Sequence, residues 1–384
     1  MQMLQLGFRP FYSLASTFAI VAVIVWLSAF AGFLSTGDYL HGAVWHSHEM
    51  LFGFSAAVIA GFLFTAVRNW TGLPTPTGAA LAGIAVLWVL ARVLIISGPS
   101  TLAAIVDMLF LPAVALAIAF PIFRSENVRN YKVLAILFAL VVSNGVFHLA
   151  SLGYVRPSLS RLSLFVSIDI VVVLMALVGG RVIPAFTKNA VPEATSRHNV
   201  WVEFVTFAAM MAVIFVEVLS GAWTPPVFSM AVLLTVVAAA HAARLALWDP
   251  LKTIDNPLLW MMPTAYSWIP VAFLLRALAA ENIVPSSAWI HAITMGAISG
   301  LMLAMMMRSS LGHTGRKLVA GRSDMAAFLL LQLAAIVRVV ASIGAGDAYR
   351  FWIVVSGVLW VLAFLLFVVR YVPMLSGPRV ADST

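Results

Sequence analysis

Cysteine is absent from the 384 residues and charge is scarce, with 22 Lys+Arg and 14 Asp+Glu making up 9% of the chain. Without thiols there are no disulfides, thiolate metal sites, iron–sulfur clusters or thiol chemistry, so any metal must bind His, Met, carboxylate or Tyr. Soluble domains run at roughly 25% charged and about half apolar. This chain is 63% hydrophobic, with a mean hydropathy of +1.05. No water-soluble globule can hide that much apolar surface, which excludes a cytosolic enzyme and a soluble binding module. Long connectors are lacking too. The longest, near 185–199, cannot hold a nucleotide-binding domain, and no phosphate-loop glycine pattern exists. Nucleotide binding and ATP-driven transport are thereby excluded. The amino end, Met1 to Pro10, carries one basic residue and runs straight into an apolar window, unlike a cleavable signal.

What remains is an all-α, polytopic membrane protein. A span takes about 20 residues, which leaves room for about a dozen. Twelve apolar windows lie near 13–34, 46–67, 78–97, 101–123, 132–152, 161–184, 199–220, 226–248, 260–280, 287–308, 324–343 and 350–371. Turn signals separate them at Gly72–Leu73–Pro74, Gly98–Pro99, Pro192, Pro225–Pro226, Asn256–Pro257 and Gly344–Ala345–Gly346. Together they make a single twelve-helix domain over 6–371, followed by a short polar tail over 372–384. Arg68, Arg181 and Arg308 close the second, sixth and tenth helices, a spacing that suggests three four-helix units.

The basic residues set the orientation. With the amino terminus in the cytoplasm, sixteen Lys and Arg fall in inside segments and three, Arg156, Arg161 and Arg350, fall outside. Arg92, Arg276 and Arg338 lie within spans. This positive-inside bias puts both termini in the cytoplasm. The net charge of +8 is then topology facing anionic lipid, and no nucleic-acid partner is expected.

The same topology sorts the polar residues by depth. His41 falls in the first outer loop, His46, His48 and Glu49 at the outer end of the second helix, His148 near the outer end of the fifth, and His291 at the outer opening of the tenth. Arg92, Asp107, Asp169, Glu217, Arg276 and Arg338 map to the outer half as well. A charge in lipid costs at least about 2.5 kcal/mol, so such residues face a protein interior or water. Their convergence on one level reads as a site. On a regular helix His46 and His48 point about 200° apart, which suits two different centres better than one metal. Glu49, three residues after His46, shares its face and can ligate beside it or accept a hydrogen bond from its other ring nitrogen. Gly53 and Gly61 would let a flat macrocycle or a neighbouring helix approach.

The inner half holds His241, with Arg244 one turn on, and His313. Pro184 is expected to break the sixth helix after Gly179–Gly180–Arg181, where Arg181 can hold a carboxylate or propionate. Plainer readings compete. A lone His at a helix end is usually an interfacial polar residue, and His198 reads as an exposed loop residue. Trp26, Trp45, Trp70, Trp223, Trp289 and Trp352 fit an aromatic belt. Met295, Met302, Met305, Met306 and Met307 of the tenth helix are flexible filler before they are copper ligands.

Several motifs resemble those of the NnrS family. They are Gly7-Phe8-Arg9-Pro10-Phe11, Trp45-His46-Ser47-His48-Glu49-Met50-Leu51-Phe52-Gly53-Phe54, and Thr65-Ala66-Val67-Arg68-Asn69-Trp70-Thr71-Gly72. Three more are Gly179-Gly180-Arg181-Val182-Ile183-Pro184-Ala185-Phe186-Thr187, His291-Ala292-Ile293-Thr294-Met295-Gly296-Ala297-Ile298, and Leu311-Gly312-His313-Thr314-Gly315-Arg316. The resemblance runs from about residue 6 to 371. It implies a bacterial inner-membrane protein with twelve spans that contains haem and copper and acts in nitric oxide metabolism and nitrosative-stress defence. It also implies that His46, His48, His148, His241, His291 and His313 occupy family motif positions, while His41 and His198 fall outside them.

These readings combine into one expectation. A b-type haem, with copper as a second metal, is held by imidazoles near the periplasmic face, where nitric oxide binds and is reduced. With no Cys-x-x-Cys-His, covalent haem attachment is impossible. Arg92, Arg276 and Arg338 are natural partners for haem propionates. Asp107, Asp169 and Glu217 could relay the protons that reductive coupling consumes, and Glu49, Asp107 and Asp169 are the candidate catalytic residues. By analogy alone, haem–copper oxidases also set His-x-His on a membrane helix between two centres, but their other motifs are missing here. Partners are nitric oxide, the bilayer and an unspecified electron donor. The alternatives are a copper or cation transporter, and a haem-based nitric oxide sensor or electron carrier.

Overall fold

The structure, a computed structural model, describes residues 2–221 and 227–380; Trp223, Pro225 and Pro226 lie outside the described residues. Among the described residues twelve helices are long and apolar enough to cross a membrane, and no strand occurs. They are α1 (Phe8–Phe30), α2 (Gly42–Thr71), α3 (Gly78–Ser97), α4 (Ser100–Arg124), α5 (Val128–Ser151) and α6 (Ser158–Ala190). The second half comprises α7 (Val200–Ser220), α8 (Val227–Ala246), α9 (Pro257–Ala280), α10 (Ser286–His313), α11 (Arg322–Gly344) and α12 (Gly346–Ser376). Each expected window is met by one helix.

The helix ends follow local chemistry. Gly72, at φ +68°, stops α2 by adopting the left-handed conformation, and its N–H donates to the Arg68 carbonyl at 2.9 Å. The Asn199 side chain opens α7 by accepting from the Trp201 and Val202 amides at 2.9 and 3.2 Å. Asn256 opens α9 in the same way through Leu258, with Pro257 in the first turn.

Two boundaries differ from expectation. α6 does not break at Pro184 but runs on to Ala190. Pro removes one N–H and crowds the carbonyl four residues back, which here belongs to Gly180. A helix with glycine at that turn and apolar surroundings continues through the defect more cheaply than it ends in lipid. The connector to α7 shrinks to 191–199 accordingly. α12 extends to Ser376, past the expected start of the tail.

Two helices carry π-helical turns, Glu49–Ser55 in α2 and Ala292–Ser299 in α10. Each begins directly after a histidine, His48 or His291. Each ends in a serine whose hydroxyl donates to the carbonyl five residues back: Ser55 to Met50 at 2.9 Å, Ser299 to Thr294 at 2.8 Å. Each also holds a glycine against a large side chain. A Cβ on Gly53 would lie 2.8 Å from Phe18 and 3.0 Å from the Arg92 guanidinium, and one on Gly296 would run into the Trp268 indole.

The chain forms two compact units. The first comprises the chain through Ile170 with Ser309–Arg316 and the segment from Phe367 on; the second comprises Val171–Arg308 and Lys317–Leu366. In the first unit α2 is the central helix, with 89% of its apolar window buried against 33% for α1 and α3. Gly61 lets α1 close on it at Phe11 and Tyr12, and Phe11, Phe64 and Phe110 interlock there.

In the second unit the α8–α9 connector is tied to the α6–α7 connector. Asp249 accepts from the Thr195 amide at 2.6 Å and its hydroxyl at 2.8 Å. These donors, the hydroxyl first, hold its carboxyl below the usual carboxylate range. A depressed carboxyl stabilises the fold above its unfolded pKa of about 3.9 and loses that stabilisation as pH falls through the lower folded value. Thr195→Val is therefore expected to open this corner at higher pH during acidification, read as faster amide exchange over 195–199 and 249–253. An unchanged exchange profile would remove the role assigned to the hydroxyl.

Candidate metal centre

The first unit gathers five of the expected site residues around the amino end of α2. His48 closes the regular first turns of that helix and Glu49 opens its π segment; both are fully buried. Arg92 comes from the last turns of α3, Asp107 from the first turns of α4 and His148 from the last turn of α5. Alternating helix directions bring these ends to one level.

Arg92 holds both acids. Its Nη1 donates to Glu49 Oε1 at 2.5 Å and its Nη2 donates to Asp107 Oδ1. Trp88, one turn earlier on α3, donates to the Gly53 carbonyl at 3.0 Å and lies beneath the guanidinium. Asp107 Oδ2 receives the Asn144 amide at 2.8 Å and lies 2.9 Å from His148 Nε2. Asn144 and His148 are one turn apart on α5, so they share a face. On the other side of its ring, His148 Nδ1 meets the Tyr39 hydroxyl at 2.8 Å. Tyr39 sits in the α1–α2 connector, which a hydrogen bond from Thr36 to the Leu40 carbonyl and one from the Gly42 amide to Thr36 hold in place. Burial pushes its phenol pKa up, so it remains a hydroxyl.

The His48 ring is walled by Phe52 and Phe147. Its Nδ1 lies 2.9 Å from Glu49 Oε1. A carboxylate only accepts, so Nδ1 carries the proton and Nε2 is left as a bare lone pair. That nitrogen has no hydrogen-bond partner among the described residues and faces Asp107 Oδ2 at 3.4 Å. Two lone pairs confront each other across a gap that a proton, a cation or a water donating to both can bridge. His48, Asp107 and His148 each turn one ligand atom into this space, all within 4.8 Å of one another. Separations of 2.9 and 3.4 Å between donor atoms are those of neighbouring ligands about a transition metal, whose bonds are roughly 2.1 Å. The residues present fit a metal ion. With neutral rings, two carboxylates and one guanidinium leave a formal charge of −1, the charge that a single cation complements.

The other expected residues lie elsewhere. His46, on the opposite side of α2 from His48, is half-buried and stacks on Trp26 at 4.7 Å. Glu49 pairs with His48 rather than His46: the backbone between His46 and Glu49 is regular helix, and the Glu49 carboxylate oxygen that meets His48 Nδ1 is the one Arg92 holds. Asp169 is buried in α6 and His313 is half-buried against Phe8. In the second unit the half-buried His291 places Nδ1 2.7 Å from the Ser287 carbonyl. Arg276 pairs with Glu217 at 2.5 Å and lies over Trp289. Arg338 donates to Ser342 on its own helix, and Arg181 is half-buried in α6. Arg92 and Arg276, expected at propionates, are thus both engaged by carboxylates of the chain.

His241 forms its own network in the second unit. Fully buried, it places Nδ1 2.7 Å from the Tyr266 hydroxyl, lies parallel to Phe273, and leaves Nε2 without a partner among the described residues. Arg244 donates to Tyr266 and, through two nitrogens, to Glu203. A buried imidazole with one nitrogen oriented and the other open fits axial ligation of a haem iron.

Sequence reasoning missed Tyr39, Trp88, Asn144 and Tyr266. Asn144 had a signal, a neutral amide deep in an apolar span one turn from a histidine.

Comparison with known proteins agrees with this architecture. A search of curated proteins finds no match. Four solved chains match, among them a haem–copper terminal oxidase solved as a dimer by cryo-electron microscopy. It is 14% identical, with a TM-score of 0.69, and the alignment covers 98% of this chain and 85% of that one. At that identity the likeness is one of fold. The family model described as NnrS protein matches residues 2–379, essentially the whole chain. The chain is a multi-pass membrane protein and belongs to the NnrS family.

Proposed function

We propose that this protein is a haem-containing protein of the bacterial inner membrane that binds nitric oxide and reduces it. Its metal centre is formed by His48, Asp107 and His148. Family membership and the haem–copper oxidase fold support the reading; the observation that carries it is the bare His48 Nε2 facing the Asp107 carboxylate. Copper suits two imidazoles and an oxygen ligand, and a bound cation offsets the formal charge of −1 at the centre. His241 is the imidazole best placed to ligate the iron of a b-type haem. When bound, these groups supply the coordination position for nitric oxide and the electrons delivered by a donor.

The chain's own residues do the rest. Glu49 holds the His48 proton on Nδ1, keeping Nε2 free to ligate. Arg92 keeps both carboxylates ionised, while Phe52 and Phe147 shield the His48 ring from water. Reductive coupling takes two nitric oxide molecules, two electrons and two protons to nitrous oxide and water. Tyr39, reaching His148 Nδ1 from a connector, is the group best placed to pass protons inward.

The purified protein is expected to show a Soret band, reduced α-bands and about one transition metal in addition to haem iron. It should consume nitric oxide anaerobically when given an artificial reductant. Haem without consumption would make it a sensor or electron carrier. Absence of haem, with copper or cation uptake into proteoliposomes, would replace the proposal by transport.

A further inference from the structure

A second cluster of the first unit, at the opposite end of its helices, is assembled from two motifs the metal centre leaves unused. Gly7-Phe8-Arg9 opens α1, and Gly312-His313-Thr314-Gly315-Arg316 closes α10 and runs past it. The segment after α12 joins them. The Val380 amide donates to the Thr314 carbonyl at 2.9 Å, and the Arg379 stem packs on Gly315, whose Cβ position would lie 3.2 Å from Arg379 Cγ. Gly315 holds a φ of +73°, so a side chain there would be both strained and obstructed. The His313 ring rests on Phe8 at 5.5 Å, within the field of Arg379.

Arg9 is 2% exposed. Its Nη1 donates to the Leu375 and Gly377 carbonyls at 2.8 and 2.7 Å, satisfying the carboxyl end of α12. Its Nε, however, is buried without a partner among the described residues, and so is Arg316 Nη1. The Arg316 charge acts directly on Arg9. None of Arg9, Arg316 and Arg379 has a carboxylate partner among the described residues. Arg9 is buried, Arg316 half-buried and Arg379 exposed, so the cluster opens outward from Arg9. A buried guanidinium with an idle N–H donor beside further positive charge is unfavourable unless an anion completes the site. The matching anion offers several acceptor oxygens to guanidinium forks, which is the chemistry of a phosphate group. The location is where helices of a membrane protein end, on the side that the positive-inside bias assigns to the cytoplasm, and basic pockets there hold anionic headgroups.

We propose that Arg9, Arg316 and Arg379, with His313, form a binding site for a phosphate-bearing anion, filled in the membrane by the headgroup of an anionic phospholipid. The full-length protein in nanodiscs tests this by native mass spectrometry, with phosphatidylglycerol against phosphatidylcholine, and by thermal unfolding in detergent with and without inorganic phosphate. Phosphatidylglycerol is expected to be retained preferentially. Arg316→Gln should weaken that retention about tenfold, as the loss of one charge-assisted contact implies. Stabilisation by inorganic phosphate that Arg316→Gln abolishes, without a lipid preference, would assign the same site to free phosphate. Equal retention of both lipids with no phosphate effect overturns the proposal. So does an Asp382→Asn variant that reproduces the Arg316→Gln loss of stability without any response to anions, since the counter-charge would then be the chain's own. Loss of haem absorbance in Arg316→Gln at unchanged lipid retention would assign the arginines to a propionate and equally end it.

Discussion

Arg92→Leu is expected to lower stability by about 3–5 kcal/mol, the scale for removing one partner of a buried ion pair. The guanidinium is 5% exposed and is the cation shared by Glu49 and Asp107, themselves buried. Its removal leaves two carboxylates in a low-dielectric interior, and each must take up a proton or draw water into the helix bundle. The side chain also lies over Trp88, so packing is lost with the charge. The companion variant Glu49→Gln/Arg92→Leu/Asp107→Asn removes all three charges and should recover part of the loss, because an uncharged replacement of a whole buried cluster is often nearly neutral. Thermal unfolding in detergent measures both. A single variant that melts with the wild type would mean that Arg92 does not carry the compensation described.

His48→Ala is expected to abolish stoichiometric metal binding at the centre, and Glu49→Gln to weaken it about 10–100-fold, the usual effect of losing the group that orients a ligating histidine. The two variants separate two roles. His48 supplies the nitrogen that faces Asp107 at 3.4 Å, whereas Glu49 fixes which ring nitrogen carries the proton. Tyr39→Phe should resemble Glu49→Gln in milder form: for His148 to ligate, its proton must leave Nε2, which faces the Asp107 carboxylate, for Nδ1, where the Tyr39 hydroxyl accepts it. Metal analysis after equilibrium dialysis against a competing chelator reads all three. Wild-type metal content in His48→Ala would exclude the centre, while a haem spectrum kept in that variant would leave the assignment of His241 standing.

The twelve spans were legible because each is a long apolar run closed by glycine, proline or asparagine, and such signals act locally. The level at which His48, Glu49, Arg92, Asp107 and His148 meet followed from topology, since charges cannot rest in hydrocarbon and alternating spans bring matching ends together. Partner choice was not legible. Glu49 meets His48 with the carboxylate oxygen that Arg92 holds from a different helix, and no period in the residues announces that tertiary partner. Tyr39 reads as one aromatic in a short connector until the turn at Thr36 brings it over His148. The continuation of α6 through Pro184 was hidden because a local rule about proline competes with the cost of ending a helix among apolar neighbours. The boundary between the two units runs through α6, α10 and α12, where composition does not change at all.

The widened turns in α2 and α10 have a further bearing on how such a chain can vary. A π turn holds one more residue than the helix around it, and each α-helical residue advances about 100°. Deleting one position from Glu49 to Ser55 would let the segment relax into ordinary helix while Ala56–Thr71 kept nearly the same rotation relative to His48, because the widened turn already holds the extra residue. The face that meets Phe11 and Tyr12 at Gly61 would stay where it is, and so would the histidine. Between Glu49 and Ser55, and between Ala292 and Ser299, the loss of one residue can therefore be absorbed without turning the rest of the helix, whereas the same deletion in the regular helix on either side would rotate everything beyond it by about 100°.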